Sequence, residues 1–147
     1  MKKVILITVI IGVLILSACI GPDNAKIADK WGLQLSAKDV TSESLTIVFQ
    51  QSGGSPSGEL QTGSWFSLEV HDQNEWKPLE TNPLIDYAWN SIAYGIKKNE
   101  ATELKTEWKW LYGELSIGSY RLGKKVMDFR KSGDFDEEIY YVYFTID

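Results

Sequence analysis

Few residues of this chain are of a type and spacing to make or break bonds. The first to weigh is His71, the single histidine. A Ser-His-Asp arrangement needs a carboxylate that orients the imidazole. Asp72 is adjacent, but neighbours on a strand point to opposite faces, so Asp72 is badly placed to serve His71. No G-x-S-x-G elbow is present. Paired carboxylates in a cleft are a further hydrolytic arrangement, one that spacing along the chain does not reveal. Gly133-Asp134-Phe135-Asp136-Glu137-Glu138 gathers four carboxylates ahead of the last strand. Calcium takes several loop oxygens, but this spacing is not that of an EF-hand. The segment reads as a solvated hairpin loop whose charges protect the sheet from edge pairing. Lys97-Lys98, Lys124-Lys125 and Arg130-Lys131 are basic pairs that read as surface charge at strand ends, or as a patch for an acidic polymer or lipid head. No catalytic residue, metal site or cofactor is expected, and an enzyme is not the favoured class.

The aromatics carry more. Six Trp and seven Tyr in 147 residues exceed what one small core needs. Trp31, Trp65, Trp108 and Tyr120 are the expected core members. Trp76, Trp110 and Tyr112 are candidate binding aromatics, with Trp89, Tyr141 and Tyr143 also unplaced. Trp and Tyr offer rigid apolar faces with a polar tip, which suits protein interfaces and sugar stacking. Gly53 to Gly58 reads as a loop, either a mobile binding loop or a mere connection.

The start of the chain is an address. Met1-Lys2-Lys3 is followed by an uncharged run from Val4 to Leu16, the form of a secretory signal. Leu16-Ser17-Ala18-Cys19 resembles the lipobox of bacterial lipoproteins. That resemblance implies cleavage before Cys19, a diacylglyceryl thioether on its thiol and acylation of the new amine. Two or three acyl chains anchor stably where one does not. The expected division is a helical signal peptide over 1–18, lipid anchor and tether over 19–30, and one domain over 31–147. Ile20 to Lys30 reaches at most ~35–40 Å when extended, so the domain would work close to the membrane, on its extracytoplasmic face.

Composition narrows the rest. The net charge is -5, and a chain lacking Lys2 and Lys3 would set 13 basic against 20 acidic residues, a balance of -7. Such a surface is repelled by anionic lipid heads and makes nucleic acid an unfavoured partner. The lone Cys excludes an intrachain disulfide framework and a Cys-rich zinc site.

Short β-like runs separated by turn signals must position these residues. They fall at Trp31 to Leu35, Ser44 to Gln51, Glu59 to His71, Trp76 to Leu79, Ser91 to Lys98, Ala101 to Trp108, Ser119 to Phe129 and Glu138 to Ile146. Period two is expected to run on through Trp110. Seven or eight strands at this spacing predict an all-β antiparallel sandwich or barrel.

Leu115-Ser116-Ile117-Gly118-Ser119-Tyr120 resembles the tyrosine corner of Greek-key sandwiches, where a Tyr hydroxyl returns to the backbone near the preceding Leu. Its Gly is expected to permit a tight backbone path. The wider run Trp110-Leu111-Tyr112-Gly113-Glu114-Leu115 with Gly118-Ser119-Tyr120-Arg121-Leu122 resembles the bacterial Ig-like domain of small lipoproteins. So does Leu60-Gln61-Thr62-Gly63 with Trp65-Phe66-Ser67-Leu68-Glu69 and Trp76. The resemblance spans roughly Trp31 to Asp147. It implies an Ig-like Greek-key sandwich and transfers no catalytic residues. The expected function is a lipid-anchored extracytoplasmic interaction module. Its partners would be membrane lipid through Cys19 and a protein or envelope component. The alternative is a cell-surface inhibitor or protective factor acting on an extracellular enzyme or antimicrobial agent.

Overall fold

The computed structural model describes residues 29–147. The expected signal peptide over 1–18, its helix, Cys19 and all but the end of the tether lie outside the described residues. Eight strands form: β1 Leu33–Lys38, β2 Ser44–Gln51, β3 Glu59–Asp72, β4 Glu75–Pro78, β5 Tyr94–Gly95, β6 Ala101–Glu107, β7 Gly118–Lys131 and β8 Asp134–Ile146. A single helical turn, α1, spans Lys109–Tyr112. The strands make two antiparallel sheets ordered β1-β2-β6 and β4-β3-β7-β8, with β5 paired to β3. The chain changes sheet between β2 and β3, β5 and β6, and β6 and β7, which is a Greek-key path.

Alternation builds the core. Leu45, Ile47 and Phe49 of β2 face Leu68 of β3, Leu122 and Val126 of β7, and Val142 of β8, all buried. Trp108 is fully buried between the sheets and its Nε1 donates to the Ser42 carbonyl at 2.9 Å. Among the described residues, no fully enclosed side-chain nitrogen or oxygen lacks a partner. Between β3 and β4 the turn residues Gln73 and Asn74 both have positive φ (51° and 65°), as a two-residue hairpin turn of matching twist requires.

Four local expectations are corrected. Trp65 is half-exposed on the outer face while Phe66 enters the core. Period two stops at Glu107: the chain must cross to the other sheet, so residues 109–112 coil into α1 and carry Trp110 outside. Of Ser91 to Lys98 only Tyr94–Gly95 joins a ladder, because the segment crosses between sheets. The acidic run is strand, not loop, since β8 begins at Asp134 and the turn is Ser132-Gly133.

β3 also carries a bulge. Thr62 pairs with Val126 and Phe66 with Lys124, so three residues of β3 stand opposite Lys125 alone. The Thr62 hydroxyl fills the gap by donating to the Lys125 carbonyl at 2.7 Å.

Candidate functional site

The outer face of the β4-β3-β7-β8 sheet is aromatic and ordered. Register places Trp76 beside His71, Glu69 beside Arg121, and Arg121 beside Tyr143. The Arg121 guanidinium lies over Trp76 and Tyr141, 4.9 and 4.1 Å from their ring centres. Its Nε and Nη2 both donate to Glu69 Oε2, at 2.9 and 2.5 Å. Farther along β7, Lys125 lies over Trp65 at 5.1 Å and pairs with Glu137 at 3.0 Å. Cations on the central strand thus hold rings of the flanking strands in place, an arrangement suited to charge on an aromatic face.

Room for this packing exists because β7 carries Gly123 there. A Cβ at 123 would stand 2.6 Å from Ser67 Oγ and 3.2 Å from the Tyr141 ring. At the Gly118 end of the sheet the face dips into an apolar recess of about 610 Å³. It is lined by His71, Trp76, Ser119, Tyr143 and Thr145 on the outside, and reaches Tyr120 and Phe144. Tyr143 is 51% exposed, so an aromatic rim stands open to solvent. The His71 ring packs against Trp76 at 4.8 Å, while Asp72 is turned to Lys77 at 2.6 Å.

Beneath the recess, the Tyr120 hydroxyl donates to the Ser116 carbonyl at 2.8 Å. Burial pushes its pKa up. Leu115 is buried and its N–H donates to Ser42. Gly118 has no positive φ; its role is space, since a Cβ there would meet the Tyr120 ring at 3.3 Å. The ring stacks on Phe144, which stacks on Trp108, so the corner is tied into the core.

The three candidate binding aromatics are not brought together. Trp76 lines the recess. Trp110 lies at the open edge between the sheets, in a cluster with Tyr87 and Trp89. Tyr112 is half-buried against Phe66.

That open edge holds a second concavity of about 420 Å³, where the β3 bulge and β6 part. Ser64, Phe66, Trp89, Trp110 and Lys124 are on its walls. Lys124 is 1% exposed and mid-strand, which corrects its reading as surface charge. Burial lowers its pKa to about 8. The other cations of the basic pairs do not form one patch: Lys97 pairs with Glu100, and Arg130 with Asp134 and Asp136. The Arg130 pairs, with Lys125–Glu137 and Lys30–Glu138, also occupy the acidic run. No group of three or more potential ligands suited to a metal ion occurs among the described residues.

The loop over 53–58 is clamped. The Asp128 carboxylate accepts from Ser57 N, Ser57 Oγ and Gly58 N at 2.7, 2.8 and 2.6 Å. Burial works to raise this carboxyl, but those hydrogen bonds and Arg130 hold it below its ordinary value. Gly54, at φ 64°, passes so close to Trp31 that a Cβ would stand 2.2 Å from its carbonyl carbon. Asp128 and Lys124 went unremarked in the sequence as a clamp and a buried cation. Their even positions on β7, in phase with Leu122 and Val126, were the available signal.

Two antiparallel sheets in the order β1-β2-β6 and β4-β3-β7-β8, closed by a Tyr-to-backbone bond, define an immunoglobulin-like sandwich. Residues 29–140 match the bacterial Ig-like domain, and the chain belongs to that family. No curated protein and no solved structure matches the chain.

Proposed function

We propose that this protein is a lipid-anchored extracytoplasmic interaction module that binds a protein partner through the aromatic face and recess of its larger sheet. The observation that carries this reading is the recess beside Trp76 and Tyr143, an apolar hollow with an exposed aromatic rim and prearranged side chains. Rigid aromatics with Arg are what protein interfaces favour, because little side-chain entropy is lost on contact. Arg121 is neutralised by Glu69, so the face offers apolar area without an unpaired charge.

Orientation supports it. Lys30 pairs with Glu138, Trp31 stacks on Tyr140 and the Lys30 carbonyl accepts from Ser55 N–H, so the first described residues lie alongside β8 next to the clamped loop. The recess lies at the opposite end, among Ser119 and Thr145. A tether from Cys19 would therefore turn the recess away from the bilayer.

The test places a photo-crosslinking amino acid at Tyr143 or, as a control on the other sheet, at Glu103, in native membranes. One reproducible protein adduct is expected from position 143 and not from 103, weakened by Trp76→Ala. No adduct from 143, or equal adducts from both, would overturn the assignment. Cys19→Ala is expected to leave the protein unlabelled by lipid precursor; unchanged labelling would refute the anchor.

A further inference from the structure

We propose that the crevice beside Lys124 is a binding site for a small organic carboxylate with a flat apolar body. This site lies on the open edge of the sandwich and does not depend on the sheet-face reading. Its volume of about 420 Å³ falls within the ~300–1,000 Å³ usual for small-molecule sites. Phe66, Trp89 and Trp110 give it aromatic walls, with ring centres 5.1 Å apart for the first pair and 6.1 Å for the second. These rings meet at steep angles, leaving faces and edges into which a planar group can slot.

Several polar groups of the walls are already engaged. Ser64 Oγ donates to the Asn90 carbonyl at 3.1 Å, and Trp110 Nε1 to the Glu107 carbonyl at 2.9 Å. Glu107 is paired with Lys105 at 2.5 Å. Lys124 differs. Only burial acts on it, with no hydrogen bond or charge partner among the described residues. Because no wholly enclosed side-chain nitrogen among the described residues lacks a partner, its Nζ is not wholly enclosed, and the crevice is the concavity that the residue lines. An ammonium withdrawn from water without a counter-ion is costly, and an anion delivered to it recovers much of that cost. A single unpaired ammonium beside aromatic walls suits one singly charged carboxylate on a flat apolar body.

The charged and titratable neighbours are few. Lys105 and Glu107 on β6 neutralise each other, and Tyr94 on β5 also lines the crevice. Tyr140, beside Lys124 on β8, donates its hydroxyl to Asp29 at 2.8 Å, and its pKa is raised by burial and by that bond. From the α1 side Tyr112 packs on Phe66 and is raised by burial, so both phenols stay neutral through the lysine's range. With its pKa lowered to about 8, Lys124 is about nine-tenths charged at pH 7 and loses its charge above pH 8. Affinity for an anion is therefore near its full value at pH 7 and below, and falls as pH rises through 8.

The test is calorimetric titration of the full chain with 2-naphthoate and with its neutral isostere 2-naphthamide. The acid is expected to bind at least tenfold more tightly than the amide at pH 7. Its affinity should drop severalfold or more between pH 8 and 9.5. Lys124→Met keeps the apolar stem and should abolish the preference for the acid, with melting of the variant followed in parallel. Equal affinity for acid and amide, no heat with either, or an affinity flat across pH 8 to 9.5 would overturn the proposal. Should Lys124→Met fail to fold, the acid-to-amide ratio and the pH series on the unaltered protein decide it.

Discussion

Asp128 shows how much one side chain can hold. It is 2% exposed and accepts three hydrogen bonds from Ser57 and Gly58, joining the 53–58 loop to β7 of the larger sheet. Asp128→Asn puts an NH₂ where an acceptor is needed and is expected to cost about 2 kcal/mol in denaturant melts, within the ~1–3 kcal/mol typical of such losses. The sign of the pH effect follows from the direction of its shift. A carboxyl held below its ordinary value stabilises the fold fully above that ordinary value. The contribution is lost as pH falls from the ordinary carboxylate value through the folded one. Acid titration of stability should thus be steeper in the unaltered protein than in Asp128→Asn, and parallel curves would refute the clamp. Tyr120 makes a single bond, hydroxyl to Ser116 carbonyl, so Tyr120→Phe should cost only about 1 kcal/mol by the same measurement.

Among the elements, β7 does the most, because its two faces serve different ends. The inward face carries Tyr120, Leu122, Lys124, Val126 and Asp128; the outward face carries Arg121, Gly123 and Lys125 beneath the aromatics. Gly123→Ala would push the Tyr141 ring off Arg121 or force the strands apart. We expect a loss of about 1–3 kcal/mol, as for other overpacked sites, and a changed near-ultraviolet circular dichroism signal. An unchanged melt and spectrum would show that the face is less tightly built than its distances indicate. Strands such as β2, β3 and β7 were legible because strict alternation and turn residues mark them locally. The corner was legible because Leu115, Gly118 and Tyr120 are close in sequence. The recess and the Lys124 crevice were not. Each joins residues from β3, β7 and distant segments, and two adjacent lysines look alike until register assigns one to each face. Trp65 and Phe66 are the same case, both aromatic, and sorted by the side of the pleat they occupy. Trp110 misled because periodicity cannot register where a chain must leave its sheet.

For the molecule as a whole, the decisive property is polarity along the strands. β7 has 14 residues and so runs about 45 Å, long enough to set the two ends of the sandwich well apart. One end holds Gly133 and the loop clamped by Asp128, a loop that also touches Lys30 through Ser55. The other holds the Gln73-Asn74 turn and the recess. A lipid on Cys19, with a tether of at most ~35–40 Å, would keep the first end near the bilayer and present the second to the surroundings. Energy transfer from a dye at Ser55→Cys to an acceptor on lipid headgroups should be more efficient than from a dye at Asn74→Cys, in vesicles carrying the processed, acylated protein. Ser55 sits where its N–H donates to the Lys30 carbonyl, next to the entry of the tether. Equal transfer from both sites would mean that the domain lies on its side or tumbles freely. Stronger transfer from position 74 would bury the recess against the membrane and redirect the search from a protein partner to the lipid surface.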